Sequence, residues 1–493
     1  MSLPQRWIAP VTLGVLLGIL GIDALGACLD FVAAIRYPYE LDYGEGVVWL
    51  QTTLIPGPRM YAAPQGLPFI VFHYPPLYYF LTRAASWFMP DLLAAGRLVS
   101  AIAAMAIVPL VASLVLLAAP SPAGRRRMHV AVAVAAGLLA LGLHAVRSSG
   151  LLMRVDMVAV ALGLAGVLVA AWADGAVRGT ACALLLCLAA VYCKQTQLPA
   201  GIAVFVVTLL RRPRTAIAAA AVPLAIGLAA LGLLEWLTGG GFLQNIIAAN
   251  VNRFGWQYAL LVLPFERTSL PSMAVMLLAA WSILRGLMEP GRSLAQRLAD
   301  RTSAARAMLL LHFALAVLML PALFKSGSSF NYLLDCFCVG CVLIGVWLCD
   351  LTGTGRQFAL TAAVLMVAAL FLPFRQLLDR VPQAELAAQD ALVQRIADAD
   401  KPVASEDVAL LMRAGKPVIF EPAIATELAS VGRWDEAPLL AMIARGDFAF
   451  MITIGSSPNG PSRRTPAVEA AMQRAYPRLE QADPLHWLHL PAG

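Results

Sequence analysis

The sequence predicts a polytopic α-helical membrane protein that ends in a small soluble α/β domain. Of the 493 residues, 60% are hydrophobic and 13% are charged, whereas a soluble globular chain averages about half apolar and about a quarter charged. Apolar runs long enough to cross a bilayer recur as far as residue 374. Beyond that point charged residues become frequent, and short strand-like and helix-like stretches alternate.

About eleven membrane spans are expected from apolar length. The first follows Arg6 and is longer than a typical signal h-region, which predicts a retained helix and not a cleaved leader. Two short runs, 178–193 and 198–210, flank a polar stretch and predict either two tilted helices or one broken helix. The predicted spans lie near 7–29, 92–118, 128–146, 155–173, 178–193, 198–210, 214–236, 268–288, 305–322, 331–350 and 357–374.

Arginine residues predict the orientation of these spans. They gather in alternate loops, and the positive-inside rule places such loops in the cytoplasm. The N-terminus is then cytoplasmic, and an odd number of spans puts the C-terminal domain on the outer side of the inner (plasma) membrane. The net charge of +7 therefore reflects topology, and we exclude a nucleic-acid partner. These arginines are Arg125, Arg126, Arg127, Arg211, Arg212, Arg214, Arg285, Arg292, Arg297, Arg301, Arg306 and Arg356.

Long outer segments divide the chain into a membrane part, 1–374, and a C-terminal domain, 375–493. The first outer loop, 37–91, is rich in Pro, Tyr and acidic residues and is too long to be a mere connector. The second outer loop, 239–264, mixes apolar and polar residues at helical spacing, which predicts an interfacial helix.

The C-terminal domain is predicted to be α/β because strand-like and helical patterns alternate along it. Gly415 is a stop signal for the first of its helices. The strands are expected at 402–406, 417–420 and 448–454, and the helices at 407–414, 423–431, 437–444 and 466–476.

An acidic cluster follows the first span. Glu40, Asp42 and Glu45 lie within six residues, beside an apolar membrane face. Carboxylates that close together perturb one another's pKa values, which suits a general base or a cation site. The alternative is a solvated loop whose acids cap helices.

Other polar residues are predicted at the same membrane face. His73 and Tyr74 precede a Pro-Pro pair, Arg154 and Asp156 open one span, and Lys194 ends another. Each of them could be an ordinary interfacial group, with a snorkelling side chain or a headgroup ion pair. Together they predict a site in which cations hold a lipid-linked phosphate and carboxylates act on an acceptor. Further cations at this face are Arg253, Arg267 and Lys325.

Five short motifs occur in an order that resembles a known family. They are LDYGEG after the first span, HYPPLYYFL, RVDM, AAVYCKQTQLP and GSSFNYLLD. The chain resembles the polytopic GT-C glycosyltransferases, specifically the bacterial branch of the dolichyl-phosphate-mannose-protein mannosyltransferase family, which includes the aminoarabinose transferases. The resemblance covers most of the chain and implies a GT-C-like membrane domain.

The resemblance also implies a mechanism. The donor would be a polyprenyl-phosphate-linked sugar, and the acceptor a hydroxyl of a glycan, lipid or protein. An acidic residue of the first outer loop would deprotonate that hydroxyl, whose oxygen would attack the anomeric carbon with inversion while the lipid phosphate leaves. The enzyme would be a hexosyl- or pentosyltransferase. Such a site needs a base and charges that stabilise the departing phosphate.

Carried over by motif, Asp42 is the predicted base and Glu45 the second candidate, because the family pattern is adjacent Asp-Glu and this chain has LDYGEG. Tyr74 occupies a position where aminoarabinose transferases carry Lys, and His73 is expected to supply that polar contact. The predicted substrate-binding and donor-binding residues are His73, Tyr74, Arg154, Asp156, Lys194, Arg253, Lys325 and Asn331.

No cofactor is required by this scheme, although Asp42, Glu45 and Asp156 would permit a divalent metal. A transporter or lipid flippase for envelope glycan precursors is the alternative function, but its ionisable groups are expected near the midplane in matched halves. A non-enzymatic envelope scaffold is a third, and it leaves the acidic cluster unexplained.

Overall fold

The computed structural model describes residues 3–121, 124–250, 252–260, 270–288, 291, 293–352, 383–455, 457 and 463–492. Ten of the eleven predicted spans coincide with helices in these ranges, and the eleventh, 357–374, lies outside them. Six of the described helices are long and apolar enough to cross a membrane, or seven if the bent pair α5–α6 forms one span. Three shorter apolar helices accompany them.

The helices of the membrane part are numbered in chain order. They are α1 (Leu3–Arg36), α2 (Glu45–Thr53), α3 (Leu77–Ala85), α4 (Leu92–Ala118), α5 (Arg126–Gly142), α6 (His144–Leu151), α7 (Asp156–Ala173), α8 (Val177–Cys193), α9 (Pro199–Arg211), α10 (Pro213–Leu237), α11 (Gly241–Leu243), α12 (Leu270–Leu287), α13 (Leu294–Leu298), α14 (Arg301–Leu318) and α15 (Leu334–Leu351).

Local sequence sets many of the helix ends. The side chain of Asp91 accepts a hydrogen bond from the Ala94 amide and caps α4, and Asp300 caps α14 in the same way. Pro199 and Pro213 occupy first-turn positions of α9 and α10, where a missing N–H costs nothing. The predicted span 128–146 is two helices, because Leu143 is extended and α6 turns by 62° from α5.

Small residues allow the helices to pack closely. A Cβ on Gly137 of α5 would lie 2.4 Å from the Val108 carbonyl oxygen of α4. A Cβ on Gly166 of α7 would lie 2.5 Å from the Cys187 Sγ of α8. Because lipid provides no hydrophobic force between helices, such close backbone contact is a major source of their association.

The arginine loops meet at one end of the helix bundle, here called the arginine end. Arg211 pairs with Asp174 and donates to the Ala299 carbonyl, while Arg301 and Arg306 donate to carbonyls at the ends of α7 and α4. The sequence predicted that these loops share one side. The two outer loops lie at the opposite end, here called the site end. Arg292 and Arg356 lie outside the described residues.

The second outer loop is only partly helical. Helix α11 continues into a wider π-helical turn over Gln244–Ala248, and the chain is helical again over 256–260. Asn245 in that turn is fully buried and hydrogen-bonds to Ala62, Phe72 and Gly241. The turn therefore packs on the first outer loop, and the single interfacial helix that was predicted is interrupted.

The C-terminal domain is α/β, as predicted. Its four-stranded sheet has the order β1-β2-β4-β3, with β1 parallel to β2 and the other pairs antiparallel. Its elements are α16 (Gln383–Ala397), β1 (Ala404–Ser405), α17 (Val408–Arg413), α18 (Pro422–Ser430), α19 (Ala437–Arg445), β2 (Met451–Ile454), α20 (Pro466–Ala475), β3 (Arg478–Gln481) and β4 (His486–Leu490).

One predicted strand of this domain is wrong. Residues 417–420 join no strand of the sheet. Instead, Phe420 forms a parallel bridge with Phe69 of the first outer loop. The Phe69 amide donates to the Ile419 carbonyl at 2.8 Å, and the Phe69 ring stacks on Trp434 with centroids 4.5 Å apart. The apolar pattern at 417–420 thus reflects docking onto the membrane part. Strands β3 and β4 and helix α16 were not predicted.

Candidate functional site

Asp42 lies at the site end with its side chain 45% exposed. Arg154 donates to Asp42 Oδ2 at 2.5 Å and to the Tyr43 carbonyl at 2.6 Å. Gly44, between Asp42 and Glu45, has φ 104°, a backbone conformation in which a residue with a side chain would be strained. The fold thus brings Asp42 and Arg154, two of the predicted site residues, into direct contact.

Glu45 has a structural environment that differs from the predicted one. Both Glu45 and Arg97 are fully buried, and Arg97 binds both oxygens of the Glu45 carboxylate at 2.9 and 2.8 Å. The same carboxylate accepts from the amides of Leu41 and Met153. No oxygen is left for a substrate, so we correct the sequence-based assignment: Glu45 anchors the first outer loop to α4 and is not a candidate base.

The third acid of the cluster, Glu40, accepts a hydrogen bond from the Gly46 amide. Burial raises the pKa of Glu40 well above its ordinary value, and the nearby Asp407 carboxylate of the C-terminal domain raises it further. Glu40 is half-buried, and Asp42 is the exposed acid of the cluster.

Asp156 and Lys194 form a buried pair at the adjoining ends of α7 and α8. The Lys194 Nζ donates to Asp156 Oδ1 at 2.5 Å, and the two side chains are 8% and 1% exposed. Asn331 donates to the same oxygen from Nδ2 at 3.1 Å, and Lys194 Nζ lies 4.9 Å from the centre of the Tyr332 ring. The structure therefore brings together three residues that lie far apart in the sequence.

Tyr74 lies beside this pair. Burial raises the pKa of Tyr74 to about 12, and the charged groups that act on it most are Asp156, Lys194 and Arg154. Tyr74 therefore lies near both the Asp156–Lys194 pair and Arg154, at the site end of the bundle.

His73 contacts the C-terminal domain. Its Nε2 lies 3.1 Å from Glu421 Oε1, at the start of α18. Burial lowers the pKa of His73, but the Glu421 carboxylate outweighs that effect, so the pKa lies above its ordinary value. His73 was predicted to contact substrate, whereas here its imidazole holds the two parts of the chain together.

Arg253 and Lys325 form a second group. Arg253 binds Glu427 of α18 through two nitrogens, each 3.1 Å from a carboxylate oxygen, and Ser326 donates to the same carboxylate at 2.7 Å. Lys325 is half-buried, and its backbone pairs with Phe254. Arg253 therefore lies at the interface of the second outer loop with the C-terminal domain, whereas Lys325 is shown beside the second outer loop. Arg267 lies outside the described residues.

The three carboxylates that would permit a metal have separate cationic partners: Asp42 has Arg154, Glu45 has Arg97 and Asp156 has Lys194. Within the described ranges, no group of three His, Cys, Asp or Glu side chains could hold a metal ion. The geometry therefore does not support the metal site formed by Asp42, Glu45 and Asp156 that was considered from sequence.

Sequence reasoning missed four residues of this region: Arg97, Gln195, Glu421 and Glu427. Arg97 is in an apolar span, where an arginine is costly unless paired, and that signal could have identified it. Gln195 donates to the His73 carbonyl at 2.9 Å. Glu421 and Glu427 carry no local signal, because their partners lie in distant loops.

Neither a protein-family model nor a curated protein matches the sequence, but solved structures match the fold. ArnT from Cupriavidus metallidurans matches in its apo state and in the form bound to undecaprenyl phosphate. In each case the TM-score is 0.61 and the identity 14%, over 96% of this chain and 98% of that chain.

A third structure is the archaeal oligosaccharyltransferase AglB from Archaeoglobus fulgidus, in complex with an inhibitory peptide and a dolichol-phosphate. It matches with a TM-score of 0.52 and 12% identity, over 89% of this chain and 69% of that chain. At such low identity the likeness concerns architecture. The chain is a multi-pass membrane protein with the GT-C fold that its motifs predicted.

Proposed function

We propose that this protein is an inverting glycosyltransferase that moves a sugar from a polyprenyl-phosphate donor to an acceptor hydroxyl at the outer face of the membrane. The observation that supports this most is the exposed Asp42 carboxylate, held by Arg154, next to the buried Asp156–Lys194 pair at one end of a GT-C fold. A base and positive charge are the two requirements of this reaction, and both occur side by side.

Asp42 is the proposed general base. Arg154 holds Oδ2, and the exposed side chain leaves Oδ1 for the acceptor hydroxyl. The acceptor oxygen gives its proton to Asp42 and forms a bond to the anomeric carbon. The bond between that carbon and the phosphate oxygen breaks, and its electron pair leaves with the lipid phosphate. Arg154 and Lys194 are the cations that would stabilise this charge.

The alternative function is transport or flipping of a lipid-linked envelope precursor. Buried ion pairs occur deeper in the membrane part as well, where Arg147 of α6 binds Asp23 and Asp30 of α1. The proposed site, by contrast, crowds at the ends of α7 and α8 and beside the outer loops. That placement favours chemistry at the surface over a path through the midplane.

The test is transfer by purified protein. The protein is mixed with radiolabelled polyprenyl-phosphate sugars and with glycan, lipid and peptide acceptors, and the anomeric configuration of the product is determined. We expect Asp42→Asn to lower the transfer rate by at least about a hundredfold, which is the lower range for losing a general base. Movement of the lipid-linked substrate across proteoliposomes without transfer would favour the alternative.

Asp174→Asn is the matched control. Asp174 also pairs with an arginine at 2.5 Å and is 39% exposed, but it lies at the arginine end. Its left-handed backbone conformation suits Asn as well as Asp. We expect this variant to retain the transfer rate. An equal loss of rate in both variants would mean that Asp42 has no special role in the chemistry.

A further inference from the structure

One side chain of the C-terminal domain reaches the residue next to the proposed base. The guanidinium carbon of Arg463 lies 3.9 Å from the centre of the Tyr43 ring. A guanidinium over an aromatic ring at this distance makes a cation–π contact. Tyr43 directly follows Asp42 in the first outer loop, so this contact joins the C-terminal domain to the loop that carries the proposed base.

Arg463 is held in place by its own domain. Its backbone carbonyl accepts a hydrogen bond from the Thr426 hydroxyl of α18 at 2.6 Å, and its guanidinium lies 3.9 Å from the Glu406 carboxylate. Glu406 is buried and also binds Arg464. The position of Arg463 over the Tyr43 ring therefore depends on how the C-terminal domain is docked.

The Tyr43 side chain meets Arg463 through its ring and not through its hydroxyl. The hydroxyl oxygen is buried and has no hydrogen-bond partner within the described ranges. Burial raises the pKa of Tyr43 well above its ordinary value, and the Glu421 carboxylate raises it further. The phenol thus stays neutral, and the attraction is between the Arg463 cation and the face of the ring. A phenylalanine would offer Arg463 the same face.

The backbone of Tyr43 is tied to the groups proposed to react. Its carbonyl oxygen accepts a hydrogen bond from Arg154 Nη2 at 2.6 Å, and the same nitrogen donates to Asp42 Oδ2 at 2.5 Å. One arginine nitrogen therefore holds oxygens of two consecutive residues. A shift of the Tyr43 carbonyl would move Arg154 and, with it, the carboxylate of Asp42.

We propose that Arg463 and Tyr43 are positioning residues, through which the C-terminal domain holds Arg154 and Asp42 in the geometry that the transfer reaction needs. This inference rests on the proposed function, because it names the residues that orient the base of that same reaction. Neither side chain has to touch the donor or the acceptor. A misplacement of about 1 Å in a reacting group can cost about a hundredfold in rate, so a contact next to the base is enough to matter.

Steady-state kinetics of the full-length protein test this. We expect Arg463→Gln and Tyr43→Leu each to lower kcat by at least about tenfold and to change the KM for the donor far less, because the base is displaced and donor binding is not. Tyr43→Phe keeps the ring face and should retain kcat. Full activity in Arg463→Gln, or a loss in Tyr43→Phe as large as in Tyr43→Leu, would overturn the inference.

The double variant tests whether the two residues act through one contact. Tyr43→Leu and Arg463→Gln break the same cation–π contact, so the protein with both substitutions should be no slower than the slower single variant. Losses that multiply would overturn the inference, since they would assign the two residues independent effects. Arg463 is 34% exposed, so its variant is expected to fold even if Tyr43→Leu does not, and thermal unfolding of each variant checks this.

Arg413→Gln is the matched control. Arg413 also belongs to the C-terminal domain and also lies over an aromatic ring of the first outer loop, 4.6 Å from the centre of the Trp49 ring. Its carboxylate partner is Asp91 and not Asp42. We expect Arg413→Gln to retain kcat although it removes a docking contact. A loss of kcat equal to that of Arg463→Gln would mean that docking in general supports the rate, and would overturn the inference.

Hydrogen exchange separates failure of the inference from failure of the proposed function, because it needs no transfer. In Arg463→Gln we expect the amides of residues 41–46 to exchange at least about tenfold faster than in the unsubstituted protein, and in Arg413→Gln we expect no change there. If exchange responds in this way but no sugar is ever transferred, the proposed function falls and the coupling stands. If sugar is transferred but neither kcat nor exchange responds to Arg463→Gln, the function stands and the inference falls.

Discussion

Asp42 and Glu45 are three residues apart in one acidic motif, yet their surroundings differ completely. The Asp42 side chain is 45% exposed and has one arginine nitrogen as partner, whereas Glu45 is fully buried against Arg97. A carboxylate with all its oxygens occupied cannot accept a substrate proton. The burial of Glu45 gives it a structural role, and the exposure of Asp42 is what makes it the proposed base.

The structural role of Glu45 predicts a large loss of stability on substitution. Glu45→Gln leaves the Arg97 charge buried without a partner, a change that typically costs about 3–5 kcal/mol. The measurement is thermal unfolding in detergent. Glu480→Gln breaks a pair with Arg395 that is largely exposed and should change stability by less than about 1 kcal/mol. Equal effects of the two substitutions would contradict the anchor role of Glu45.

His486 predicts a pH dependence of stability in the C-terminal domain. Burial lowers the pKa of His486, but hydrogen bonds to Asp407 and Asp483 outweigh that effect and raise the pKa to about 9. Because the folded-state pKa lies above the unfolded value of about 6.5, the contribution is complete below about pH 6.5 and is lost as the pH rises through about 9.

Unfolding of the full-length protein at several pH values checks this. We expect the midpoint to fall between pH 6.5 and 9, and His486→Gln to flatten that fall. His489→Gln on the same strand is the control, because burial lowers the pKa of His489 to about 4 and the side chain stays neutral throughout this range. A slope that survives in His486→Gln would assign the titration to another group.

At the scale of elements, α2 of the first outer loop and α17 of the C-terminal domain touch backbone to backbone. A Cβ on Gly46 would lie 2.4 Å from the Ala409 nitrogen, a distance that no real Cβ tolerates without movement of the backbone. Further contacts between these two parts are the ion pairs Arg413–Asp91, Glu421–His73 and Glu427–Arg253. The C-terminal domain therefore packs against both outer loops.

This contact predicts the outcome of a small substitution. Gly46→Ala should destabilise the docked domain by about 1–3 kcal/mol, as overpacking typically does, and should increase cleavage of the C-terminal domain in limited proteolysis. Gly232→Ala in α10 is the control, because its Cβ would meet nothing within 4 Å. If both variants resist protease equally, the α2–α17 contact does not hold the domain in place.

Across the whole molecule, the arginine-rich loops lie at one end of the helix bundle and the candidate site lies at the opposite end. At the arginine end, Arg211, Arg301 and Arg306 donate hydrogen bonds to backbone carbonyls at the ends of neighbouring helices. The outer loops, the candidate site and the C-terminal domain lie at the other end. Such an arrangement fits an enzyme whose chemistry takes place on one side of a membrane and whose positive loops hold its orientation.

The proposed orientation, with the C-terminal domain on the outer side, makes a prediction for intact cells. Gln473→Cys, exposed on α20, should react with a membrane-impermeant maleimide added from outside. Arg126→Cys, exposed at the arginine end, should react only after permeabilisation. The unsubstituted protein reports the background from its native cysteines. Labelling in the reverse pattern would place the candidate site in the cytoplasm and would remove the case for an outer-face transferase.

The described spans were predictable from sequence because a helix that crosses a bilayer needs an apolar run of sufficient length, and such a run is a local property of the sequence. Ten predicted spans and most helices of the C-terminal domain coincide with described elements for that reason. Strands β3 and β4 escaped prediction. Every residue of β3 is exposed. Its sequence therefore lacks the alternation of apolar and polar residues by which a half-buried strand is recognised.

Local sequence patterns are enough to predict that this chain crosses a membrane many times, that Asp42, Arg154, Asp156 and Lys194 lie at helix or loop ends, and that its motifs follow the GT-C order. The partners of these side chains could be learned from the folded chain alone: Arg97 anchors Glu45, and the C-terminal domain binds Arg253. Membrane insertion depends on local hydrophobicity, which can be read along the sequence, whereas ion pairs and hydrogen bonds depend on side chains that the fold brings together from distant positions.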